Sequence, residues 1–265
     1  MIHPIKSIIS RQQKWSSKHF EKTKYGKQIT ALKDSHKGEK CFVLGNGPSL
    51  SAKDLDVLNE KNVITFATNR IFNVFDTTDW RPTYYVGEDI DVIRNVSNEI
   101  NSIEIKHKFI PINLKWYEDY QIDNADYFYM TYKKGFMKEN FDLSVNAAHE
   151  VACRGTVTST CIQLAIYMGF SEIYLLGVDH SFSKMVDKHG NLIEDDSIKD
   201  HFDSEKRTDV ANTAFNIDDA TQAFIDVESL SDKLGTFRVY NATRGGKLEV
   251  FERVDFDRLM EDWNK

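Results

Sequence analysis

The 265-residue chain is 41% hydrophobic and 28% charged, the composition of a globular protein long enough for one large α/β domain. Its net charge of −7 argues against a nucleic-acid partner, and no apolar run approaches the ~20 residues that a membrane-spanning helix needs. The three cysteines lack metal-binding spacing and the N-terminus lacks the apolar stretch of a secretion signal, which together predict a cytoplasmic protein.

The first 40 residues carry a strong positive charge. Ten lysines and arginines stand there against Glu21, Asp34 and Glu39, which gives +7 for residues 1–40 and −14 for the remainder, since the two sum to −7. The pattern predicts a helix over residues 5–34 and thus a basic helical extension, residues 1–38, before a domain spanning 39–265. Such a segment favours peripheral contact with the anionic cytoplasmic face of a membrane. Packing on the domain or on a partner subunit is the alternative, so a homo-oligomer is open.

From residue 40 onward, short apolar runs alternate with amphipathic stretches. They predict strands at 41–44, 63–67, 83–86, 108–112, 127–131, 172–176 and 236–240. Helices are predicted at 52–59, 91–100, 158–168, 208–234 and 255–263, and the polar, aperiodic segment 183–207 is expected to act as a mobile lid. This alternation implies an α/β fold: a Rossmann-like, doubly wound, mostly parallel sheet with helices on both faces.

A glycine-rich turn follows the first predicted strand. Its residues are Gly45, Asn46, Gly47, Pro48 and Ser49. The two glycines tolerate positive φ and the close approach of a ligand, and Ser49 or Ser51 can cap the helix that follows. In an open α/β sheet, backbone N–H groups and a helix N-terminus converge on a nucleotide at this place. An ordinary strand-to-helix turn is the alternative interpretation.

Polar residues also follow the other predicted strands. They are Asn69 and Arg70 after the second, Glu88 and Asp89 after the third, Asp179 and His180 after a later strand, and Asn241 and Thr243 after the last, with Gly245 and Gly246 close behind. Because the carboxyl ends of parallel strands share one edge of the sheet, we expect these residues to line a nucleotide-binding cleft. Each of them alone would serve equally well as a cap or turn residue.

The start of the helix predicted at 158–168 has the composition of a phosphate or ribose site. It combines a guanidinium group with small hydroxyl side chains, those of Arg154, Thr156, Thr158 and Ser159. Helix N-terminal amides and an arginine fork both bind phosphate oxygens. Alternatively, Thr158 or Ser159 is simply the N-cap of this helix.

Two further patterns bear on catalysis. His201, within the expected lid, and His180, directly after a strand, are candidate general bases because histidine titrates near neutral pH. The Asp89-x-Asp91 spacing is one that holds Mg²⁺ on nucleotide diphosphates. Asp89 could instead cap the next helix while Asp91 faces solvent, and we predict no metal site.

With these motifs, the chain resembles two related groups of proteins. One is the bacterial family-42 sialyltransferases, and the other is the wider DUF115 group, which includes the hydroxymethyldihydropterin pyrophosphokinase-like (MptE-like) proteins. The resemblance is carried by residues 45–50 (GNGPSL), by Asn69, by Arg154 with Thr156, and by residues 169–179 (GFSEIYLLGVD). The turn at 241–246 (NATRGG) is similar to DUF115 in particular.

This resemblance implies a Rossmann-like fold and, from the sialyltransferases, metal-free and inverting transfer from a CMP-linked donor sugar. It implies that Asn46, Ser49 and Asn69 hold the ribose and phosphate, and that Arg154 and Thr156 lie near the base or donor sugar. The chain departs from the sialyltransferases at two positions. They have a phosphate-binding tyrosine where this chain has Ser181, and a catalytic histidine where it has Ser204, three residues after His201.

We therefore expect an inverting glycosyltransferase of bacterial surface-polysaccharide biosynthesis, with a histidine base and a glycan or lipid-linked glycan acceptor. The expected donor is a nucleotide-sugar, with a CMP-sugar favoured over a UDP-sugar and no metal required. The alternative is an ATP- and Mg²⁺-dependent pyrophosphokinase of the hydroxymethyldihydropterin type, with Glu88, Asp89 and Asp91 as the metal ligands. A third, non-enzymatic interpretation is a nucleotide-sensing or scaffold protein that recruits partners through its basic N-terminal segment.

Overall fold

The computed structural model describes residues 19–116, 120–132, 143–186, 191–195, 197 and 215–263. Their strands are β1 (Lys40–Leu44), β2 (Thr65–Thr68), β3 (Tyr84–Val86), β4 (His107–Pro111), β5 (Ala125–Phe128), β6 (Met130–Tyr132), β7 (Val151–Cys153), β8 (Glu172–Leu176), β9 (Lys184–Val186), β10 (Leu192–Glu194), β11 (Phe215–Asn216), β12 (Arg238–Asn241) and β13 (Glu252–Arg253). Eight of these strands form a parallel sheet in the order β13-β12-β8-β1-β2-β3-β4-β5.

The strand order reverses between β1 and β8. The chain moves outward from β1 to β5 and then returns to place β8 on the other side of β1. At such a reversal the loops after the two neighbouring strands leave the sheet in different directions and open a crevice at its carboxyl edge. The order of the strands therefore predicts where a ligand would bind.

Seven α-helices surround the sheet in the described ranges. They are α1 (Lys24–Thr30), α2 (Ala52–Glu60), α3 (Ile90–Asn95), α4 (Ser97–Ser102), α5 (Val157–Met168), α6 (Ile217–Leu234) and α7 (Phe256–Asp262). Short 3-10 turns lie at Phe20–Lys22, Ile71–Val74 and Ile112–Trp116. None of the helices in these ranges is long and apolar enough to cross a membrane.

Helices cover both faces of the sheet. Residues 41–44 of β1 are fully buried, which matches their uninterrupted apolar sequence. The ring of Phe42 lies 5.8 Å from that of Phe256 and 5.3 Å from that of Trp263, on the face covered by α7. The neighbouring Cys41 points to the opposite face, where α5 packs against β1, β2 and β3. The predicted α/β fold class is confirmed.

In its described part, the helix predicted over residues 5–34 is confirmed only at α1 and is interrupted before it. A 3-10 turn ends at Lys22, and Thr23, in an extended conformation, then caps α1 by accepting a hydrogen bond from the N–H of Gly26 at 3.1 Å. The close packing of Gly26 against the Phe20 carbonyl requires this break, because a Cβ at residue 26 would overlap that backbone. Residues 1–18 lie outside the described ranges.

Other differences concern short elements. The helix predicted at 91–100 is two helices with a break at Val96, and the strand predicted at 127–131 is divided between β5 and β6, which belong to different sheets. Strand β7, which pairs with β6, was not predicted. The expected aperiodic segment 183–207 contains β9 and β10, paired antiparallel, and its other residues lie largely outside the described ranges. Within the helix predicted at 208–234, residues 215 and 216 instead form β11, and the helix begins at Ile217.

Candidate functional site

The turns after β1 and β8 lie against each other at the reversal of strand order. The N–H of Gly45 donates to the carbonyl of Leu176 and the N–H of Gly47 to that of Gly177, both at 2.9 Å. A Cβ at residue 45 would overlap the Gly177 carbonyl, and one at residue 47 would overlap the carboxylate of Asp179. Neither Gly45 nor Gly47 has a positive φ. Positive φ is therefore not what these positions need; the glycines are required by the close packing of the neighbouring turn, and ligand approach at them stays a prediction.

Asp179 joins three of the loops at this edge. Its Oδ2 accepts hydrogen bonds from the hydroxyl of Ser49 at 2.7 Å and from the N–H of the same residue at 3.3 Å. Its carbonyl oxygen accepts from the N–H of Lys247 at 2.8 Å. Ser51, rather than Ser49, caps α2, with Asp54 completing the capping box. Asp179 and Ser49 thus form part of the framework, and Pro48 beside them is exposed.

The turn after β12 is a second part of that framework. Asn241 is buried; its Nδ2 donates to the Leu248 carbonyl at 2.9 Å, and its Oδ1 accepts from the N–H of Thr243 at 3.0 Å. The hydroxyl of Thr243 in turn accepts from the N–H of Val178 at 3.1 Å. Gly245 and Gly246 both have positive φ, and a Cβ at residue 246 would lie 2.9 Å from the Asp179 carbonyl oxygen. This turn therefore supports the loop after β8.

Asn46 and Asn69 differ from these framework residues. The Nδ2 of Asn46 donates to the Thr68 carbonyl at 3.0 Å, which orients the amide and places the two asparagines beside each other at the ends of β1 and β2. Asn69 has a φ of +47°, and its carbonyl accepts from the Tyr85 hydroxyl at 2.9 Å. The Oδ1 atoms of both asparagines are buried, and no described residue donates a hydrogen bond to either. Buried acceptors of this kind are rare and mark places where a ligand can donate.

Arg70 follows Asn69 and lies near the same edge. Burial raises the pKa of Tyr85 far above its usual value, and the positive charge of Arg70 partly opposes that rise. The guanidinium group therefore makes this end of β2 electropositive.

Arg154 and the start of α5 are held by the neighbouring helix α6. The Nη1 of Arg154 donates to Asp226 at 2.9 Å, and its Nη2 lies 3.9 Å from Asp219. Thr156 is the N-cap of α5 and accepts from the N–H of Thr158 at 3.2 Å. The alternative in which Thr158 or Ser159 caps this helix is wrong: the hydroxyl of Ser159 donates to the Thr156 carbonyl at 2.9 Å and Thr158 is buried. That Arg154 binds phosphate stays a prediction.

Glu88, after β3, is buried and fully hydrogen-bonded. Its Oε1 accepts from the thiol of Cys153 at 2.6 Å and its Oε2 from the hydroxyl of Thr160, which connects β3 to β7 and α5. Burial raises the pKa of this carboxyl group, and the two hydrogen bonds and the nearby Asp89 are lesser influences. Glu88 thus links three elements beneath the edge.

The Asp-x-Asp pair lies at the surface beside it. Asp89 caps α3 by accepting from the N–H groups of Asp91 and Val92, at 2.8 and 3.3 Å. Asp91 lies 3.3 Å from Arg94 in an exposed ion pair. Over the described residues, no group of three or more histidine, cysteine, aspartate or glutamate side chains is arranged to hold a metal ion.

His180 is the candidate base that lies within the described ranges, whereas His201 lies outside them. His180 has a φ of +53° and is half-buried. Its Nε2 is 2.7 Å from the hydroxyl of Thr221 in α6. Burial lowers the pKa of the imidazole, so the ring is neutral at pH 7. Thr221 was not predicted as a site residue, because a threonine inside a long amphipathic helix gives no local signal.

Comparisons with known proteins agree with this architecture. A family model described as 6-hydroxymethylpterin diphosphokinase MptE-like matches residues 17–185. The MAf glycosyltransferase from Magnetospirillum magneticum AMB-1 is similar in structure, with a TM-score of 0.50 and 12% sequence identity. That similarity covers 91% of this chain and 40% of the other, so the chain spans less than half of that protein's length. At this identity the likeness shows a shared fold. The chain matches no curated protein.

The contact between the turn after β12 and Asp179 can be tested with two glycines of nearly equal φ. The Cβ added by Gly246→Ala should displace the backbone of Asp179. The Cβ added by Gly245→Ala has no atom within 4 Å, so that variant is destabilised only by its positive φ. We expect Gly246→Ala to lower the free energy of unfolding by about 1–3 kcal/mol more than Gly245→Ala, measured by urea denaturation. Equal losses would show that the contact with Asp179 contributes nothing.

The buried carboxyl group of Glu88 should make stability depend on pH. Because its pKa is raised on folding, its contribution is fully present below the unfolded value near 4.5 and is lost as the pH rises through the folded value. As the pH rises above the unfolded value, the wild-type protein should lose stability relative to Glu88→Gln, measured by urea denaturation. Glu99→Gln, at an exposed site, controls for the lost charge. Parallel pH profiles for the wild type and Glu88→Gln would contradict this assignment.

Proposed function

The chain belongs to the 6-hydroxymethylpterin diphosphokinase MptE-like family, and from this premise we propose that it is a nucleotide-dependent transferase, specifically a glycosyltransferase. It would move a sugar from a nucleotide-sugar donor to a hydroxyl group of a glycan or lipid-linked glycan. The fold that it shares with a glycosyltransferase supports the proposal at the level of architecture. The detailed support comes from the side chains at the carboxyl edge of the sheet.

One observation carries this proposal: the two unsatisfied acceptor oxygens of Asn46 and Asn69. Both are buried at the point where the strand order reverses. These two oxygens need a hydrogen-bond donor. The phosphate groups of a nucleotide-sugar carry only acceptor oxygens at neutral pH, so they do not suit the two asparagine oxygens. Ribose hydroxyl groups and the exocyclic amino group of a base do donate hydrogen bonds. The asparagines therefore support binding of the nucleoside part of a nucleotide.

Two arginines follow residues at this edge of the sheet and add positive charge there. Arg70 follows Asn69, and Arg154 precedes α5, whose N-terminus carries the positive end of the helix dipole. We place the donor's phosphate between the asparagines and Arg154. In this arrangement Arg154 and the amides of the turns would stabilise the charge that develops on the leaving phosphate. The ion pairs of Arg154 with α6 would hold its guanidinium group in position.

The chemistry would be a single displacement with inversion. A histidine, His180 or His201, takes the proton from the acceptor hydroxyl as its oxygen attacks the anomeric carbon, and the bond from that carbon to the phosphate oxygen breaks. His180 suits this role because its imidazole is neutral at pH 7. A CMP-sugar is the favoured donor and a UDP-sugar the alternative. The lid near 183–207 would exclude water during transfer.

The setting of the reaction is also part of the proposal. We place it in the biosynthesis of bacterial surface polysaccharide, at the cytoplasmic face of the membrane. The basic segment 1–38 would bring the protein to a lipid-linked acceptor there through anionic lipids. In its described part, the lysines Lys22, Lys24, Lys27, Lys33 and Lys37 are all exposed.

The name of the family favours a second candidate, transfer of pyrophosphate from ATP. That reaction would use Mg²⁺, and the sequence pattern offers Glu88, Asp89 and Asp91 as its ligands. These residues do not fit the ion: both oxygens of Glu88 accept internal hydrogen bonds, Asp89 caps α3, and Asp91 pairs with Arg94. We therefore derive no step through a metal at these residues.

A panel of CMP, UDP, GDP and ATP, each with and without Mg²⁺, separates the candidates by thermal shift. We expect CMP or UDP to raise the melting temperature without Mg²⁺, because the asparagine site needs no metal. Stabilisation by ATP only in the presence of Mg²⁺ would favour the pyrophosphokinase. Stabilisation by a nucleotide without turnover on any acceptor would favour a sensor or scaffold.

The asparagine site can be tested by Asn69→Gly. Glycine accepts a positive φ, so the fold should persist while the buried Oδ1 acceptor is lost. Affinity for the stabilising nucleotide should fall about 2- to 13-fold, the equivalent of one hydrogen bond of ~0.5–1.5 kcal/mol, measured by calorimetry. Asn62→Gly is the matched control, since Asn62 also has a positive φ (52°) but is exposed in the turn between α2 and β2. Equal affinities in the two variants would rule out the contact.

A further inference from the structure

Among the described residues, the side chain of His180 makes one hydrogen bond and one ring contact, both with helix α6. Its Nε2 lies 2.7 Å from the Oγ1 of Thr221, and its ring meets that of Phe224 edge-on at a centroid distance of 5.6 Å. These two neighbours lie one turn apart on α6, so together they fix both the tilt and the direction of the imidazole. No described residue bonds to the other ring nitrogen, Nδ1.

The proton in the contact between His180 and Thr221 can be assigned from the second bond of the threonine. A threonine hydroxyl has a single hydrogen to donate, and Thr221 Oγ1 lies 2.8 Å from the carbonyl oxygen of Ile217, with which it can only be the donor. Were that hydrogen given to the histidine instead, two oxygen lone pairs would face each other at 2.8 Å. The hydroxyl oxygen must therefore accept from His180, and Nε2 carries the hydrogen.

A neutral imidazole with its hydrogen on Nε2 has its free lone pair on Nδ1. The two nitrogens point to opposite sides of the ring, so Nδ1 is directed away from α6. Burial lowers the pKa of His180, which keeps the second nitrogen unprotonated at neutral pH. The ring is thus prepared to take up a proton at one known atom.

The backbone of His180 is also fixed, in a conformation that histidine seldom adopts. Its φ of +53° lies in the left-handed region. The preceding residue, Asp179, is held by Ser49 and by the N–H of Lys247, and Val178 before it is held by Thr243. Strain of this kind persists only where surrounding contacts determine it, and such places are commonly functional.

We infer that Thr221 is a positioning residue, which by accepting the Nε2 hydrogen of His180 leaves Nδ1 as the atom that deprotonates the acceptor. The inference rests on the proposed function. In the step itself, the O–H bond of the acceptor breaks, an N–H bond forms at Nδ1, the oxygen bonds to the anomeric carbon, and the nucleotide leaves with the electron pair of the broken C–O bond. The imidazolium formed then keeps its hydrogen bond to Thr221.

The tautomer of His180 can be measured without any assay of activity. In ¹⁵N-labelled full-length protein, the two-bond correlations between ring nitrogens and carbon-bound hydrogens distinguish the Nε2–H form from the Nδ1–H form, and His180→Gln identifies the signals. We expect the Nε2–H form in the wild type and in Thr221→Ser, which keeps the hydroxyl. We expect the Nδ1–H form to become populated in Thr221→Val, which has the same shape without it. A wild-type ring in the Nδ1–H form, or no change in Thr221→Val, would overturn the inference.

Kinetics with the nucleotide-sugar found by the thermal-shift panel provide the second measurement. We expect Thr221→Val to lower kcat by about tenfold with the KM for the donor unchanged, and Thr221→Ser to restore kcat. A KM effect without a kcat effect would overturn the positioning role. If the Nε2–H form is found but no donor supports turnover, the proposed function fails while the assignment of the proton stands.

Discussion

The site depends on one close contact, between the backbone turns after β1 and β8. Hydrogen bonds from Gly45 and Gly47 to the carbonyls of Leu176 and Gly177 continue the pairing of the two strands beyond their ends. No side chain fits between these turns, so both positions require glycine. The contact fixes the geometry where the strand order reverses, and the polar side chains on either side are consequently presented from a rigid base.

Hydrogen-bond accounting separates the polar residues around this contact into two groups. Asp179, Asn241 and Glu88 have their polar atoms engaged by neighbouring loops and strands, and they hold the edge of the sheet together. Asn46 and Asn69 each keep a buried acceptor that no described residue satisfies. Leaving a buried acceptor unpaired costs about 1–3 kcal/mol, and a donor that hydrogen-bonds to Asn46 or Asn69 would remove that cost. The carboxyl edge of the sheet is thus mostly framework, and these two acceptor atoms are the exception within this group of residues.

Much of the fold could be predicted from local sequence. The bounds of β8 and the end of α5 at Gly169 match their predictions because an apolar run and a glycine C-cap are local signals. The three residues of β7, Val151–Cys153, are too few to show a period. Thr23 interrupts the N-terminal helix for a reason that lies in packing, the close approach of Gly26 to Phe20.

The α/β class, the glycine turn after β1 and the residue types that end each strand can be predicted locally, because hydrophobic period and turn chemistry act over a few neighbouring residues. The contacts of each polar group, by contrast, depend on the packing of the whole chain. The carboxylate of Asp179 binds Ser49, 130 positions away, and Thr221 lies against His180 across 41 positions. These pairings follow from the order of the strands and the path of α6 over the sheet, and no local pattern encodes which distant loop will lie beside a given strand end.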